Sequence, residues 1–374
     1  MENAINMQEI FLLNLLAIIL IFQTFVSNRI TLRKRNAENN MIIGIMICIF
    51  SCCAIDIAVF YVDGRPGRVS HLINYWGNWY EFLINMIVCP LWAFLVDKHV
   101  SGTIPKRRIT ARCILIGLGM LLLMANFFTP CIFSVDADNV YSRGPLKVLF
   151  MIFEGIFIAD CVVTYIRAKI TGGVFKFFPV WQFVVPSLLG VVIQGVFYGV
   201  STIWAFMAVA ICCVVFSIQN EKIYMDSLTG LYNRSYLDYI KREISQKKVK
   251  YPITMMMLDM DGFKSINDRF GHREGDLALI SVAEILTSAV GEFGSGIRFA
   301  GDEFIILLNT TSPERVQHCI DLIQKGMRDF NDRMGKDYML AVSIGTGELD
   351  LSDNTIDEIF EYIDKKMYEE KRSK

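Results

Sequence analysis

Charged residues are scarce in this 374-residue chain. They make up 20% of the sequence, whereas hydrophobic residues make up 53%. A soluble chain of this size has about a quarter of its residues charged, so a single soluble globule is excluded. The formal net charge is only −1, which argues against bulk binding of nucleic acid.

Cysteine is almost missing from the C-terminal part. Nine of the ten cysteines precede residue 220, and Cys319 is the remaining one. Their spacing indicates neither paired bridges nor a zinc site, so a secreted disulfide scaffold is excluded.

The shortage of charge is confined to the first 219 residues, which have a basic excess, whereas residues 220–374 are polar with an acidic excess. This shift predicts two units in series. We expect a membrane domain over 1–219, a helical linker over 214–226 that overlaps its last span, and a soluble domain over 222–374.

Seven apolar stretches come near the length of about 20 residues that a helix needs to cross a bilayer. They predict an N-terminal all-α transmembrane bundle of about seven helices. No Lys or Arg precedes the first stretch, so it is not a cleavable signal peptide. The stretches are approximately 8–27, 41–62, 82–97, 111–133, 147–166, 177–198 and 202–219.

Basic residues alternate between the predicted loops. Loops 28–40, 98–112 and 167–176 together hold twelve Lys and Arg, whereas the opposite set holds four. The positive-inside rule then places the N-terminus outside and the C-terminal domain in the cytoplasm. The expected location is the cell membrane, inner or plasma, with several crossings.

Three acids fall inside predicted spans, namely Asp56, Glu154 and Asp160. Intramembrane acids are costly and often functional. The favoured explanation is bonding to a neighbouring helix, and for Asp160 pairing with a nearby base. The loop 63–80 ends in four aromatic residues, which an interfacial belt explains. A sensory pocket is the alternative, and nothing in the sequence names its ligand.

The polar part alternates helices and strands in the order α-β-α-α-β-β-α-β-α. This order predicts an α/β sandwich of ferredoxin-like or palm type, with a mixed sheet flanked by helices. The expected elements are helices 233–248, 263–270, 274–291, 313–334 and 355–372, and strands 251–260, 296–300, 303–309 and 339–347.

Acidic residues stand at the ends of two of these strands. Asp259 and Asp261 end the first strand, and Asp302 and Glu303 lie at the turn of the hairpin. If the strands are neighbours, these carboxylates converge at one edge and suit Mg²⁺, which prefers oxygen ligands. Any one of them alone is explained as a solvated turn residue.

Two further sets of candidate binding residues follow these acids in the sequence. Gly262-Phe263-Lys264 opens a helix, whose first N–H groups form a natural anion site. Asn267 and Asp276 on the next two helices have the donors and acceptors to read a guanine edge. Alone, each of these side chains would pass for a cap or a surface residue.

Six motifs in register resemble the GGDEF family of diguanylate cyclases, over about residues 222–374. They are Asp226-Ser227-Leu228-Thr229-Gly230-Leu231-Tyr232-Asn233-Arg234, the run Leu258–Asp268, Gly271-His272-Arg273-Glu274-Gly275-Asp276, the signature Arg298–Phe304, Ser343-Ile344-Gly345, and the run Asp364–Lys371.

The resemblance implies that each of two domains binds one GTP with Mg²⁺, two ions per site, with Mn²⁺ as a substitute. The 3′-hydroxyl of each GTP attacks the α-phosphate of the other, which forms cyclic di-GMP and releases two pyrophosphates. It also implies a catalytic homodimer. By position, Asp259, the Met260 carbonyl and Asp302 hold metal, and Glu303 helps position or deprotonate the 3′-hydroxyl.

The resemblance also assigns the nucleotide contacts. Asn267 and Asp276 read guanine, and the Asp at position 276 favours GTP over ATP. Phe263, Lys264 and Lys371 contact the terminal phosphates.

Three departures from the family pattern stand out. The signature has Ala300 before Gly301 where two glycines are usual. Gly291 and Gly294 stand where the product-inhibition motif has Arg and Asp, so no inhibition through that site is expected. The Gly-Arg-Asn ending is missing, which loses a phosphate contact or replaces it by Arg372 or Lys374.

The leading interpretation is a membrane-anchored diguanylate cyclase whose membrane region senses an unknown signal, a ligand or a protein. The alternative is a catalytically degenerate module that binds GTP or cyclic di-GMP as a regulator, for which Ala300 and the ending are the support. A transporter would show internal repeats, and the sequence has none.

Overall fold

The computed structural model describes residues 7–32, 36–101, 104–170, 180–197, 200–246, 252–349 and 356–373. These residues form two compact units, and the division along the chain falls between Gln219 and Asn220. The predicted loops 28–40 and 167–176 lie partly outside the described residues, as does Lys374.

The N-terminal unit is built from apolar helices. Among the described residues, six helices are long and apolar enough to cross a membrane, and α6 is shorter. The predicted region of apolar helices is confirmed, although a short β-hairpin interrupts it. These helices indicate a multi-pass membrane protein. The helices are α1 (Met7–Leu32), α2 (Ala37–Val62), α3 (Arg68–Ser101), α4 (Lys106–Ala125), α5 (Lys147–Ile170), α6 (Val180–Val196) and α7 (Ile203–Ile223).

Helix α3 corrects the predicted third stretch. It has 34 residues and begins at Arg68, so most of the predicted loop 63–80 is helical and its aromatic residues lie on the helix. Asn74 and Asn78 interrupt the apolar pattern here. Asn74 donates from Nδ2 to the Asp63 carboxylate at 2.9 Å, and Asn78 donates to the Asn74 carbonyl at 2.8 Å. Because these amides are bonded inside the unit, the helix tolerates them.

The predicted stretch 111–133 is also corrected. Helix α4 ends at Ala125, and a short hairpin of β1 (Phe133–Val135) and β2 (Tyr141–Arg143) follows. The Asn126 side chain accepts a hydrogen bond from the Ile132 N–H at 2.8 Å and donates to the Phe133 carbonyl at 3.2 Å. These bonds stabilise a turn at a place where the apolar composition predicts a continuous helix.

Asp56 and Asp160, two of the three predicted intramembrane acids, are bonded to neighbouring helices. Asn14 donates to Asp56 at 2.6 Å. Arg112 of α4 lies 2.5 Å from Asp160 of α5 and 2.8 Å from Asp97 of α3, while Arg108 contacts Asp97 at 2.5 Å. The expected pairing of Asp160 with a base is therefore observed. Two arginines and two aspartates join three helices with no net charge.

We expect Arg112→Leu to destabilise this unit by about 3 kcal/mol, because removing one partner of a buried ion pair leaves the other charge uncompensated. Arg112 is 3% exposed and Asp97 is 1% exposed. The measurement is thermal unfolding of the full chain in lipid nanodiscs. Arg107→Leu removes an exposed arginine of the same helix and should unfold like the wild type. Equal unfolding temperatures for the two variants would contradict the assignment.

The C-terminal unit is an α/β fold, as predicted. Its strands have the order β4-β5-β3-β6, and all three pairings are antiparallel. The predicted mixed sheet is therefore corrected for these four strands. The elements are α8 (Arg234–Ser245), β3 (Thr254–Met260), α9 (Phe263–Phe270), α10 (His272–Val290), β4 (Gly294–Ala300), β5 (Glu303–Leu308), α11 (Pro313–Met334), β6 (Val342–Glu348) and α12 (Ile356–Ser373).

Strand β3 is central, and all seven of its residues are buried. Side chains alternate between the two faces of a strand. Leu258 faces the core with Phe304 of β5 and Val282 of α10. Asp259 therefore lies on the opposite face, close to the end of the strand.

Candidate active site

The acids predicted to converge do lie together. Asp259 is the direct cross-strand partner of Glu303 in the antiparallel β3–β5 pair. Asp302 lies in the preceding turn, where its carbonyl accepts a hydrogen bond from the Met260 N–H at 3.2 Å. Strand register thus places three carboxylates and the main chain of Met260 at one end of the sheet.

These carboxylates crowd one another. Burial raises the pKa of Asp302, and the Asp259 charge raises it further. Burial likewise raises the pKa of Glu303, together with the charges of Asp259 and Asp302. A carboxyl whose pKa is raised by like charges is stabilised by a bound cation.

The donor set fits a magnesium ion. Among the described residues, no three His, Cys, Asp or Glu side chains form a group that could hold a metal by themselves. Mg²⁺ is usually bound through one or two carboxylates together with substrate phosphates. Asp259, Asp302 and the Met260 carbonyl are the residues that would hold it.

Two other charged residues border the group. The Lys371 ammonium of α12 donates a hydrogen bond to the Asp259 carboxylate. Asp261 instead accepts from the Ser343 hydroxyl at 2.6 Å, and its N–H donates to the Ala341 carbonyl. The sequence pattern grouped Asp261 with Asp259, whereas the structure bonds it to the edge strand.

The signature turn accommodates its alanine. Gly301 has a left-handed φ of 44°, which needs glycine, whereas Ala300 has no positive φ. The Ala300 side chain is exposed. The methyl group therefore imposes no backbone strain, and the departure from the family pattern falls at the less demanding of the two positions.

Arg298 holds this turn in place. It donates from Nε to the Gly301 carbonyl at 3.0 Å and lies 3.2 Å from the Asp226 carboxylate. Asp226 also accepts from the Thr229 hydroxyl at 2.7 Å. Both charged residues lie within family motifs, but the sequence does not reveal their link, because they are 72 positions apart.

The predicted guanine-reading pair is brought together by a glycine. An ideal Cβ on Gly275 would lie 2.0 Å from Asn267 Oδ1. The Asn267 side chain of α9 therefore lies against α10 where Gly275 has no side chain, next to the exposed Asp276. This contact brings the Asn267 amide to the part of α10 that carries Asp276.

Two of the three predicted phosphate contacts, Phe263 and Lys264, lie at the start of α9, whereas Lys371 lies on α12. Gly262 precedes the helix with a φ of 70°, and no side chain caps its first N–H groups. Phe263 packs against the core, while Lys264 is exposed. Arg372 of α12 is a predicted replacement for the phosphate contact of the missing ending. Its guanidinium lies over the Tyr368 ring at 4.8 Å.

Two glycines stand where the family's product-inhibition motif is expected to have Arg and Asp. Gly291 ends α10 with a φ of 56°, and Gly294 opens β4. An ideal Cβ on Gly294 would lie 2.2 Å from the Leu307 carbonyl oxygen. An aspartate at that position would therefore clash with β5.

Comparisons with known proteins find relatives of the C-terminal unit. Residues 223–374 match the family model "Diguanylate cyclase, GGDEF domain". Diguanylate cyclase A of Treponema denticola is 32% identical over 159 residues, which cover 41% of this chain and 43% of the relative. A diguanylate cyclase of Vibrio cholerae serotype O1 is 32% identical over 162 residues, which cover 41% of this chain and 50% of the relative.

A solved structure with the same type of domain is that of the FimX GGDEF domain from Pseudomonas aeruginosa. It is 23% identical, covers 40% of this chain and 95% of that chain, and has a TM-score of 0.36. The chain spans half or less of the length of the two curated relatives. Its C-terminal unit is a GGDEF domain of the diguanylate cyclase family, joined to an N-terminal region of long apolar helices.

We expect Gly275→Ala to weaken GTP binding about tenfold, the effect of displacing Asn267 if this side chain reads guanine as the sequence predicts. The added methyl group has no room beside Asn267. Binding of a fluorescent GTP analogue to the full chain measures the effect. Ser288→Ala changes an exposed side chain of the same helix and should bind like the wild type. Equal affinities for the two variants would rule out the pairing of Asn267 with Gly275.

A pH dependence is expected for the Asp226–Arg298 link. Burial acts to raise the pKa of Asp226, but hydrogen bonds from Thr229 and the Arg298 guanidinium outweigh it and hold the pKa below its usual value. A depressed carboxyl pKa contributes stability above the unfolded pKa of about 3.9, and this is lost as the pH falls through the folded pKa.

Asp226→Asn should therefore lower the unfolding temperature at pH 7, and its difference from the wild type should shrink below about pH 4. Thermal unfolding of the full chain over a pH series measures this difference. Asp238→Asn changes an exposed carboxylate of α8 and provides the control. A difference that stays constant down to pH 3 would show that the ion pair is not its source.

Proposed function

We propose that this chain is a membrane-anchored diguanylate cyclase that condenses two GTP into cyclic di-GMP and releases two pyrophosphates. The observation that carries the proposal is the convergence of Asp259, Asp302 and Glu303 at one end of the sheet. A purely structural role gives no reason to place three repelling carboxylates together.

The residues divide the chemistry between them. Asp259, Asp302 and the Met260 carbonyl hold Mg²⁺, with Mn²⁺ as a substitute. Bound metal neutralises phosphate charge and activates the 3′-hydroxyl. Glu303 borders the same group, where it positions or deprotonates that hydroxyl, because its carboxylate lies opposite Asp259.

Recognition of GTP uses the two helices after β3. Asn267 and Asp276 bind the guanine edge, and an acceptor at Asp276 suits the two N–H donors of guanine but not adenine. Phe263 and Lys264 lie at the open start of α9, where N–H groups favour phosphate. Lys371 contributes a further charge for the terminal phosphates.

The product contains two nucleotides, whereas each domain has one such group of acids. The active unit is therefore a homodimer in which each domain presents one GTP to the other. The N-terminal region, residues 1–219, crosses the lipid bilayer with its N-terminus outside. It senses an unknown signal and passes it through a helical linker over 214–226 to the domain at 222–374, which lies in the cytoplasm with its GTP.

The competing function is a degenerate module that binds nucleotide without turnover. In the signature motif, Ala300 is the residue that supports this alternative. The backbone at Ala300 is unstrained, which weakens the support. The retained acids favour catalysis.

The direct test incubates the full chain in nanodiscs with GTP and Mg²⁺ and measures cyclic di-GMP and pyrophosphate. We expect two pyrophosphates for each product molecule, little reaction of ATP, and loss of at least about a hundredfold in rate for Asp302→Ala, since metal contacts contribute several kcal/mol to the transition state. Asp321→Asn removes an exposed carboxylate of α11 and is the control. GTP binding without product would favour the regulatory module.

A further inference from the structure

Lys371 has one partner in this structure and is expected to have another when substrate is bound. Lys371 is expected to contact phosphate when GTP is bound, yet here its ammonium bonds to Asp259, the acid expected to hold metal. The Lys371 side chain is 37% exposed. It therefore lies partly in solvent, where a change of partner requires no repacking.

The helix that carries Lys371 is held firmly on the sheet. The Glu370 carboxylate accepts a hydrogen bond from the Ile344 N–H of β6 at 2.8 Å. An ideal Cβ on Gly345 would lie 2.2 Å from the Ile363 carbonyl oxygen, so β6 and α12 touch through their backbones. With the main chain of α12 held in this way, the Lys371 side chain is the part that can move.

The ammonium acts as a cation for the whole group. The Lys371 charge lowers the pKa values of Asp302 and Glu303, against the larger effects of burial and of neighbouring carboxylates. A divalent ion on Asp259 would stand close to this ammonium and repel it, because two positive charges cannot share one carboxylate without a large Coulomb cost.

We propose that Lys371 occupies the cation position of the nucleotide-free site and excludes a divalent ion from Asp259 until a triphosphate draws the ammonium away. The inference rests on the proposed function, since it takes Asp259 as a metal ligand. Metal then enters together with nucleotide, and the empty domain is protected from ions that bind without substrate.

The test measures Mn²⁺ binding to the nucleotide-free full chain in nanodiscs, by the electron paramagnetic resonance signal of free Mn²⁺. Lys371→Met should bind Mn²⁺ about tenfold more tightly than the wild type, the size expected for losing one charge-assisted hydrogen bond that competes with the ion. Lys371→Arg keeps the charge and should bind as weakly as the wild type.

Lys366→Met is the matched control. Lys366 lies on the same helix and its ammonium is placed over the Tyr362 ring at 4.4 Å. This variant removes the same charge from α12 without touching Asp259, so its Mn²⁺ affinity should stay within about twofold of the wild type, as expected for a screened charge.

A second titration adds α,β-methylene-GTP, which cannot react. With the analogue bound, Lys371→Met should no longer bind Mn²⁺ more tightly than the wild type, because in the wild type the ammonium has moved to the phosphates. An advantage that persists with the analogue bound would overturn the change of partner.

The remaining outcomes separate this inference from the proposed function. Equal Mn²⁺ affinities for the wild type and Lys371→Met, together with weaker binding by Asp302→Ala, would leave the metal site intact and overturn the exclusion by lysine. If none of the variants bound Mn²⁺ with or without the analogue, the metal site itself would be refuted and both proposals would fall.

Discussion

The site depends on one cross-strand pair, Asp259 opposite Glu303 at the end of a fully buried strand. Strand β3 is covered on both faces, so a carboxylate at its end is partly removed from water. With Asp302 in the adjoining turn, like charges are held together by strand register rather than by attraction. The stability of the sheet offsets the repulsion between these carboxylates. A positive charge close to them stabilises their ionised forms.

The N-terminal region meets the same physical problem in another way. Asp97 and Asp160 are bonded by Arg108 and Arg112, so the helices carry these acids with no net charge. Burying a charge without a partner costs several kcal/mol, and pairing offsets that cost. Asp97 and Asp160 of the N-terminal region are paired with arginines, whereas Asp259 of the GGDEF domain accepts a hydrogen bond from Lys371.

Several sequence-based predictions were wrong at places where a polar side chain forms a hydrogen bond with a residue outside its own element. Asn74 and Asn126 interrupt or end apolar runs, and their hydrogen bonds extend α3 and form a hairpin that hydropathy does not show. Asp261 stands beside Asp259 in sequence but bonds to Ser343. These contacts join residues from separate elements, and a periodic pattern contains no information about them.

The sequence by itself determined the division into an apolar helical region and a polar α/β domain, and the positions of nearly all helices and strands of that domain. Hydrophobic periodicity and glycine-bounded motifs are local properties, so they can be read along the chain. Only the tertiary structure decided that Gly275 makes room for Asn267, that Arg298 braces Gly301 from Asp226, and that Lys371 lies on Asp259. Each of these contacts depends on the register of the sheet and the packing of helices on it, which bring together residues far apart in sequence.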